Sequence, residues 1–178
     1  MSSPCDPRHA PVGDVGAALM MIDSQLKKIR GGTTALDPAQ QALIDQFAAS
    51  LSPEGVDDVL DGVCTLIYVF MKWLRAAYEA HDKDVIEHVV PHLVATLRKM
   101  PKSVRPETVP TMAGLVVAAG LGLSPSLWRR SYGPWTPHEM NSLEATAVLI
   151  AEHIDSLTDD PDFATRLITD ALSKADEG

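Results

Sequence analysis

Three groups of residues in this chain have types and spacings that could do chemistry. The first is histidine. His81, His88 and His92 are spaced seven and four apart, and His88 and His92 have the i, i+4 geometry with which one helix face can grip a metal ion. The pair lacks the Glu that directly follows the first His in a zinc-protease helix, and a metal needs three or four ligands. No metal and no cofactor is expected. If the helix reaches back to His81, all three fall on one stripe that lies off the apolar face, toward solvent or a partner.

The second group is Gly120-Leu-Gly122-Leu-Ser124-Pro125, a glycine loop leading into a helix start. In outline such a loop could hold a phosphate on helix N–H groups. No strand precedes it and no Lys stands where a P-loop needs one, so the simpler expectation is that Gly ends one helix and Ser124 caps the next.

The third is Trp128-Arg-Arg-Ser-Tyr-Gly-Pro-Trp135, which gathers Trp128, Arg129, Arg130, Tyr132 and Trp135 between two helices. Arginine beside Trp or Tyr suits flat anionic ligands, peptide carboxylates or the centre of a protein interface. With Gly133-Pro134 redirecting the chain, the segment is expected to form a corner with both arginine heads outward. The bland alternative makes the tryptophans corner plugs of the core. Catalytic motifs are absent: there is no G-x-S-x-G, C-x-x-C, H-E-x-x-H or kinase set.

The elements that would position these groups are helices. Gly62 to Tyr78 is the most apolar stretch, and from Val63 to Met71 only Thr65 is polar. A helix that is apolar nearly all round must be buried nearly all round, so residues 55–80 are read as a buried central helix. Around it the pattern predicts helices from Val15 to Ile29, Pro38 to Ser50, Asp82 to Met100, Pro106 to Ala119, Pro125 to Arg130, Pro137 to Leu157 and Pro161 to Lys174. Five segments open with a small polar residue before Pro, at Asp37, Ser52, Ser124, Thr136 and Asp160, where the first can cap and Pro needs no N–H. Thr136 and Glu139 have the spacing of a capping box. Met140, Leu143, Ala147, Ile150, Ile154 and Leu157 form a heptad seam. Glu144, Glu152 and Asp155 beside it would repel a parallel copy, which favours packing within the chain. No alternating strand pattern occurs. The fold class is all-α, an irregular single-domain bundle of six to seven helices over residues 14–178, preceded by a flexible leader at 1–13.

Composition bounds the rest. A chain of 178 residues buries roughly 70% of its unfolded surface without disulfides, and Cys5 and Cys64 are not expected to pair. The net charge of −9 argues against nucleic acid as a partner. Residues 98–130 nonetheless carry six basic groups against Glu107, while 131–178 is strongly acidic. That contrast reads either as an anion-facing surface or as salt pairing between neighbouring helices. The uncharged run from Thr108 to Trp128 is broken by prolines and glycines, and its apolar part, Met112 to Leu123, is too short to cross a bilayer, so a cytoplasmic protein without a membrane partner is expected. The leading functional reading is a non-enzymatic helical interaction module with an aromatic and basic surface, binding a protein or a small anionic ligand. The alternatives are a small-molecule sensor with a pocket between helices and an enzyme with dispersed catalytic residues.

The central stretch yields the first testable outcome. Ile67→Asp places an unpaired carboxylate in the core at a cost of several kcal/mol, against a total stability of about 5–15 kcal/mol. Circular dichroism and thermal melts are expected to find no cooperatively folded protein; a soluble variant that melts like the parent refutes the burial of this helix.

Overall fold

The computed structural model describes residues 15–16, 18–23, 53–102 and 104–177, with backbone alone at 53–58 and 175–177. The leader, Cys5, the helix expected over Pro38 to Ser50 and the end of the first expected helix, up to Ile29, lie outside these residues. Among those described, residues 15–16 and 18–23 are helical, and from Pro53 onward the chain forms six α-helices and one 3-10 helix, with no strand. The α-helices are α1 (Pro53–Glu79), α2 (Val85–Arg98), α3 (Val109–Gly120), α4 (Pro125–Arg130), α5 (Pro137–Thr158) and α6 (Phe163–Glu177); the 3-10 helix is Pro106–Thr108.

In α1 every residue from Val59 to Met71 is buried except the half-buried Asp61. The buried hydroxyl of Thr65 is satisfied by donating to the Asp61 carbonyl at 3.2 Å. The pattern changes in the last two turns. Leu74 stays buried while Lys72, Arg75 and Ala76 reach solvent, and Arg75 pairs with Glu79 on the exposed side. The helix is thus enclosed in its first part and one-sided in its last. It packs against each of the five α-helices that follow. The helical residues near the N-terminus join the same core through Val15, Ala18 and Ile22, and Thr165 of α6 donates to Asp23 at 3.0 Å.

Helix α2 begins later than the sequence pattern placed it. Asp82 adopts a left-handed φ of 57°, the Lys83 amide returns to the Tyr78 carbonyl, and Asp84 caps the new helix by accepting from the amides of Ile86 and Glu87. His81 therefore lies in the turn before α2, and the three-histidine stripe does not form.

Helix α3 follows the 3-10 turn at Pro106. A buried hydroxyl pair, Thr108 and Ser142 at 2.6 Å, joins that turn to α5. At the far end of α3, Gly122 takes φ 81°, a left-handed conformation that glycine adopts without strain, and its amide closes onto the Ala119 carbonyl. Ser124 accepts from the Leu127 amide to start α4. The glycine segment is thus a helix end followed by a cap.

In α5 the seam residues Leu143, Ala147, Ile150 and Ile154 are buried within the chain, while the end members Met140 and Leu157 are exposed. Asp155, expected beside the seam as a repelling charge, is itself buried and accepts from the Ala164 amide at 2.8 Å, serving the first turn of α6. That helix starts at Phe163, two residues beyond the expected Pro161.

Helix α4 is fixed on α3 by a close approach. A Cβ built on Gly114 would stand 2.2 Å from Cη2 of Trp128, so the indole ring lies against the glycine backbone. Gly114→Ala gains about 1 kcal/mol of helix propensity but forces a bulky ring aside, and net destabilisation of about 1–3 kcal/mol is expected. Urea unfolding of Gly114→Ala, alone and combined with Trp128→Leu, measures it. The second change should recover part of the loss, and a single variant as stable as the parent would contradict this packing.

Candidate functional site

The segment from Trp128 to Trp135 does form a corner between α4 and α5, but the two arginines have different fates. Arg129 is 5% exposed. Its guanidinium makes a two-pronged pair with the Glu139 carboxylate and donates to the carbonyls of Gly133 (2.9 Å) and Pro134 (3.0 Å). Its carbon Cζ lies 5.0 Å from the centroid of the Trp135 ring. The expectation that both arginine heads point outward is therefore corrected. An unpaired guanidinium cannot be buried cheaply, and here the turn bends so that a carboxylate and two carbonyls meet its donors. Arg130 is exposed and pairs with Asp61 of α1. Both arginines thus pair across to other elements, and of the two only Arg129 pairs with the acidic region after residue 130.

Glu139 serves two partners. It accepts from Arg129 and, at the helix start, from the Thr136 amide (3.1 Å) and hydroxyl (2.9 Å). The Arg129 hydrogen bonds hold its carboxyl below the ordinary range, against the opposing effect of burial, with the Thr136 bonds adding to the lowering. The same pairing raises the Arg129 pKa further above its ordinary value.

The aromatic residues divide similarly. Trp128 and Trp135 are half-buried. The Trp135 indole N–H is enclosed and has no acceptor among the described residues. Tyr132 is 69% exposed and meets Trp128 edge-on, with ring centroids 5.1 Å apart. Beside them a groove of about 490 Å³ is lined by Arg105, Thr108, Thr111, Trp128, Tyr132 and His138. Four large apolar side chains stand exposed along this part of the chain, Leu121, Leu123, Leu127 and Tyr132, and the three leucines are each more than half exposed. Sequence reading missed the leucines because their spacing resembles that of a buried face; the glycine-containing turn at 120–123 is what puts Leu121 and Leu123 outside.

The histidine pair also resolves differently from its expected stripe. His88 stacks on Tyr78 of α1, ring centroids 5.7 Å apart, while His92 faces His153 of α5 at 6.4 Å. The Tyr78 hydroxyl and His153 Nε2 are 3.0 Å apart. Burial raises the Tyr78 pKa and lowers that of His153, which His92 lowers further. Among the described residues no group of three His, Cys, Asp or Glu side chains is arranged to hold a metal ion. Tyr78 and His153 went unread as site residues. The one available signal was that His153 adjoins the buried seam residue Ile154, which turns it toward a neighbouring helix.

Compared with protein-family models, curated proteins and solved structures, the chain matches none. No helix among the described residues is long and apolar enough to cross a membrane.

The ion pair yields a stability prediction. Removing one partner of a buried pair leaves an uncompensated charge, so Arg129→Met is expected to lose about 3–5 kcal/mol in urea unfolding at neutral pH. Arg130→Met, at an exposed pair, should lose no more than about 1 kcal/mol. Because folding lowers the Glu139 pKa, its contribution is present above the ordinary carboxylate range and is lost as pH falls through the lowered folded value. The acid-side decline of stability should be shallower in Arg129→Met than in the parent. Equal losses for the two variants would place Arg129 at the surface.

Proposed function

We propose that this chain is a protein-interaction module whose contact face is the stretch 121–132, from the turn before α4 into the corner after it. The observation that carries the reading is the concentration of exposed apolar side chains there. Among the described residues, the other large apolar side chains that are exposed and not partly buried are Met20, Leu157 and Met140, the last in the first turn of α5. An exposed cluster rimmed by polar groups is what a partner covers. Each half-exposed leucine contributes on the order of 1 kcal/mol when a partner completes its burial. Tyr132, standing edge-on against Trp128, offers a large ring at little further entropic cost.

The rim favours a partner with an apolar face and a negative edge. The head of Arg130 is exposed, while its partner Asp61 is half-buried, so the solvent side of the guanidinium is what a partner's carboxylate would meet. Arg129 holds the corner's shape and does not meet the partner. The module therefore relies on apolar contact with one flanking charge, where the sequence pattern had suggested a pair of arginines. A rigid corner set on packed helices suits binding, because little order must be gained when the partner docks.

The test is a variant that alters the face and leaves the fold alone. Leu123→Glu with Leu127→Glu should melt within a few degrees of the parent, because both side chains are already in water. Affinity capture from the native host, followed by calorimetry with each purified partner, should show a complex with the parent and at least a tenfold loss in the double variant, with the negative heat-capacity change of apolar burial. A double variant that binds as the parent does would remove the corner from consideration.

A further inference from the structure

A second feature lies away from the corner, in the cleft between α2 and α5. It has a volume of about 290 Å³. Its floor is apolar and buried, formed by Val89, Leu93 and Ile150, and its rim carries His92, Glu152 and His153. The sensor alternative placed a pocket between the central helix and the helices expected over Asp82–Met100 and Pro106–Ala119; this cleft shares the first of those two, α2, but opens toward α5, with Ile150 at its floor and the two histidines facing each other across the gap.

The chemistry of that gap is specific. The Tyr78 hydroxyl and Nε2 of His153 share one hydrogen bond at 3.0 Å, and in the arrangement taken here the phenol, which has no other acceptor among the described residues, is the donor. Neutral His153 then carries its proton on Nδ1, and that N–H has no acceptor in the described part of the chain. Across the opening, the His92 ring brings a second imidazole N–H to the same gap. Ring centroids 6.4 Å apart leave room for one small acceptor group between them. We propose that this cleft binds a small organic monocarboxylate, with its carboxylate between His92 and His153 and its apolar body on Val89, Leu93 and Ile150.

Size and charge narrow the ligand. An apolar cavity of about 150 Å³ holds a benzene ring, so this cleft takes a single substituted ring or a branched chain of like bulk. Glu152 on the rim opposes a second negative charge on the ligand. The groups facing the histidines are Tyr78 from α1, His88 from α2 and Glu152 from α5, and Tyr78 stays neutral because burial raises its pKa. A bound carboxylate favours the imidazolium form, so binding takes up protons and tightens as pH falls. The limit is about tenfold in affinity per pH unit for each proton taken up.

The proposal stands apart from the interaction corner, and its test does not involve that surface. The probe is sodium benzoate, titrated into the full-length protein while the imidazole nitrogens are followed by long-range proton–nitrogen NMR. Benzamide is the uncharged control of the same shape, and sodium acetate and inorganic phosphate are the charge controls. The expected result is saturable shifts at His92 and His153, with His138 unmoved and a dissociation constant near about 1 mM or below, equivalent to about −4 kcal/mol. Binding should be tighter at about pH 6 than at about pH 8. His92→Gln, a change at an exposed position, should weaken it at least tenfold with the melting temperature unchanged. The proposal is overturned if benzoate produces no saturable shift, if benzamide or the simple anions reproduce it, if the affinity ignores pH, or if His92→Gln binds as the parent does.

Discussion

A helix with almost no polar side between Val59 and Met71 has to be covered on every face, and the other elements are arranged to meet that demand. The later helices all touch α1. Burying side chains such as Leu66, Ile67, Phe70 and Met71 contributes roughly 1.5–3 kcal/mol each relative to exposure. No single polar contact among the described residues is expected to match that sum. Where α1 emerges from this enclosure, after Met71, it acquires charged residues on its open side, and there the Tyr78 ring can reach His88 and His153.

Covering α1 leaves the chain with a sharp change of direction between α4 and α5, and a buried ion pair holds it. Arg129 ties the carbonyls of Gly133 and Pro134 to Glu139, which in turn anchors the first turn of α5 through Thr136. A hydrophobic residue in place of Arg129 would avoid the desolvation cost, yet it would strip those carbonyls of the guanidinium donors and leave the Glu139 charge unpaired, with only Thr136 donating to it. The pair is best understood as a geometric clamp. With the arginine consumed inside the fold, the exposed side chains of this part of the chain include Arg130, Leu127 and Tyr132, with Leu121 and Leu123 in the turn before α4.

Two surfaces of opposite character result. The corner is convex in chemistry, with apolar groups displayed and one charge at its edge, and it suits a large partner. The cleft between α2 and α5 is recessed, with an apolar floor and titratable rim groups, and it suits a small one. Their independence follows from the fold, since α4 packs on α1 and α3 while the cleft belongs to α2 and α5.

Much of the fold is legible in the chain because its signals are local. Ser124-Pro125 and Thr136-Pro137 mark helix starts through groups within three or four residues, and Pro125–Arg130 and Pro137–Thr158 begin where that chemistry puts them. The apolar run of α1 and the inner seam of α5 are likewise readable from periodicity. The candidate sites depended on longer reach. The partners of Arg129, Arg130 and Tyr78 stand 10, 69 and 75 residues away along the chain. Whether a side chain meets them turns on the rotational phase and mutual approach of packed helices, which periodicity does not encode. A guanidinium written beside tryptophan looks the same in sequence whether it faces water or a buried carboxylate. The burial of its surroundings chose the carboxylate here, and the same packing brought His153 across from His92.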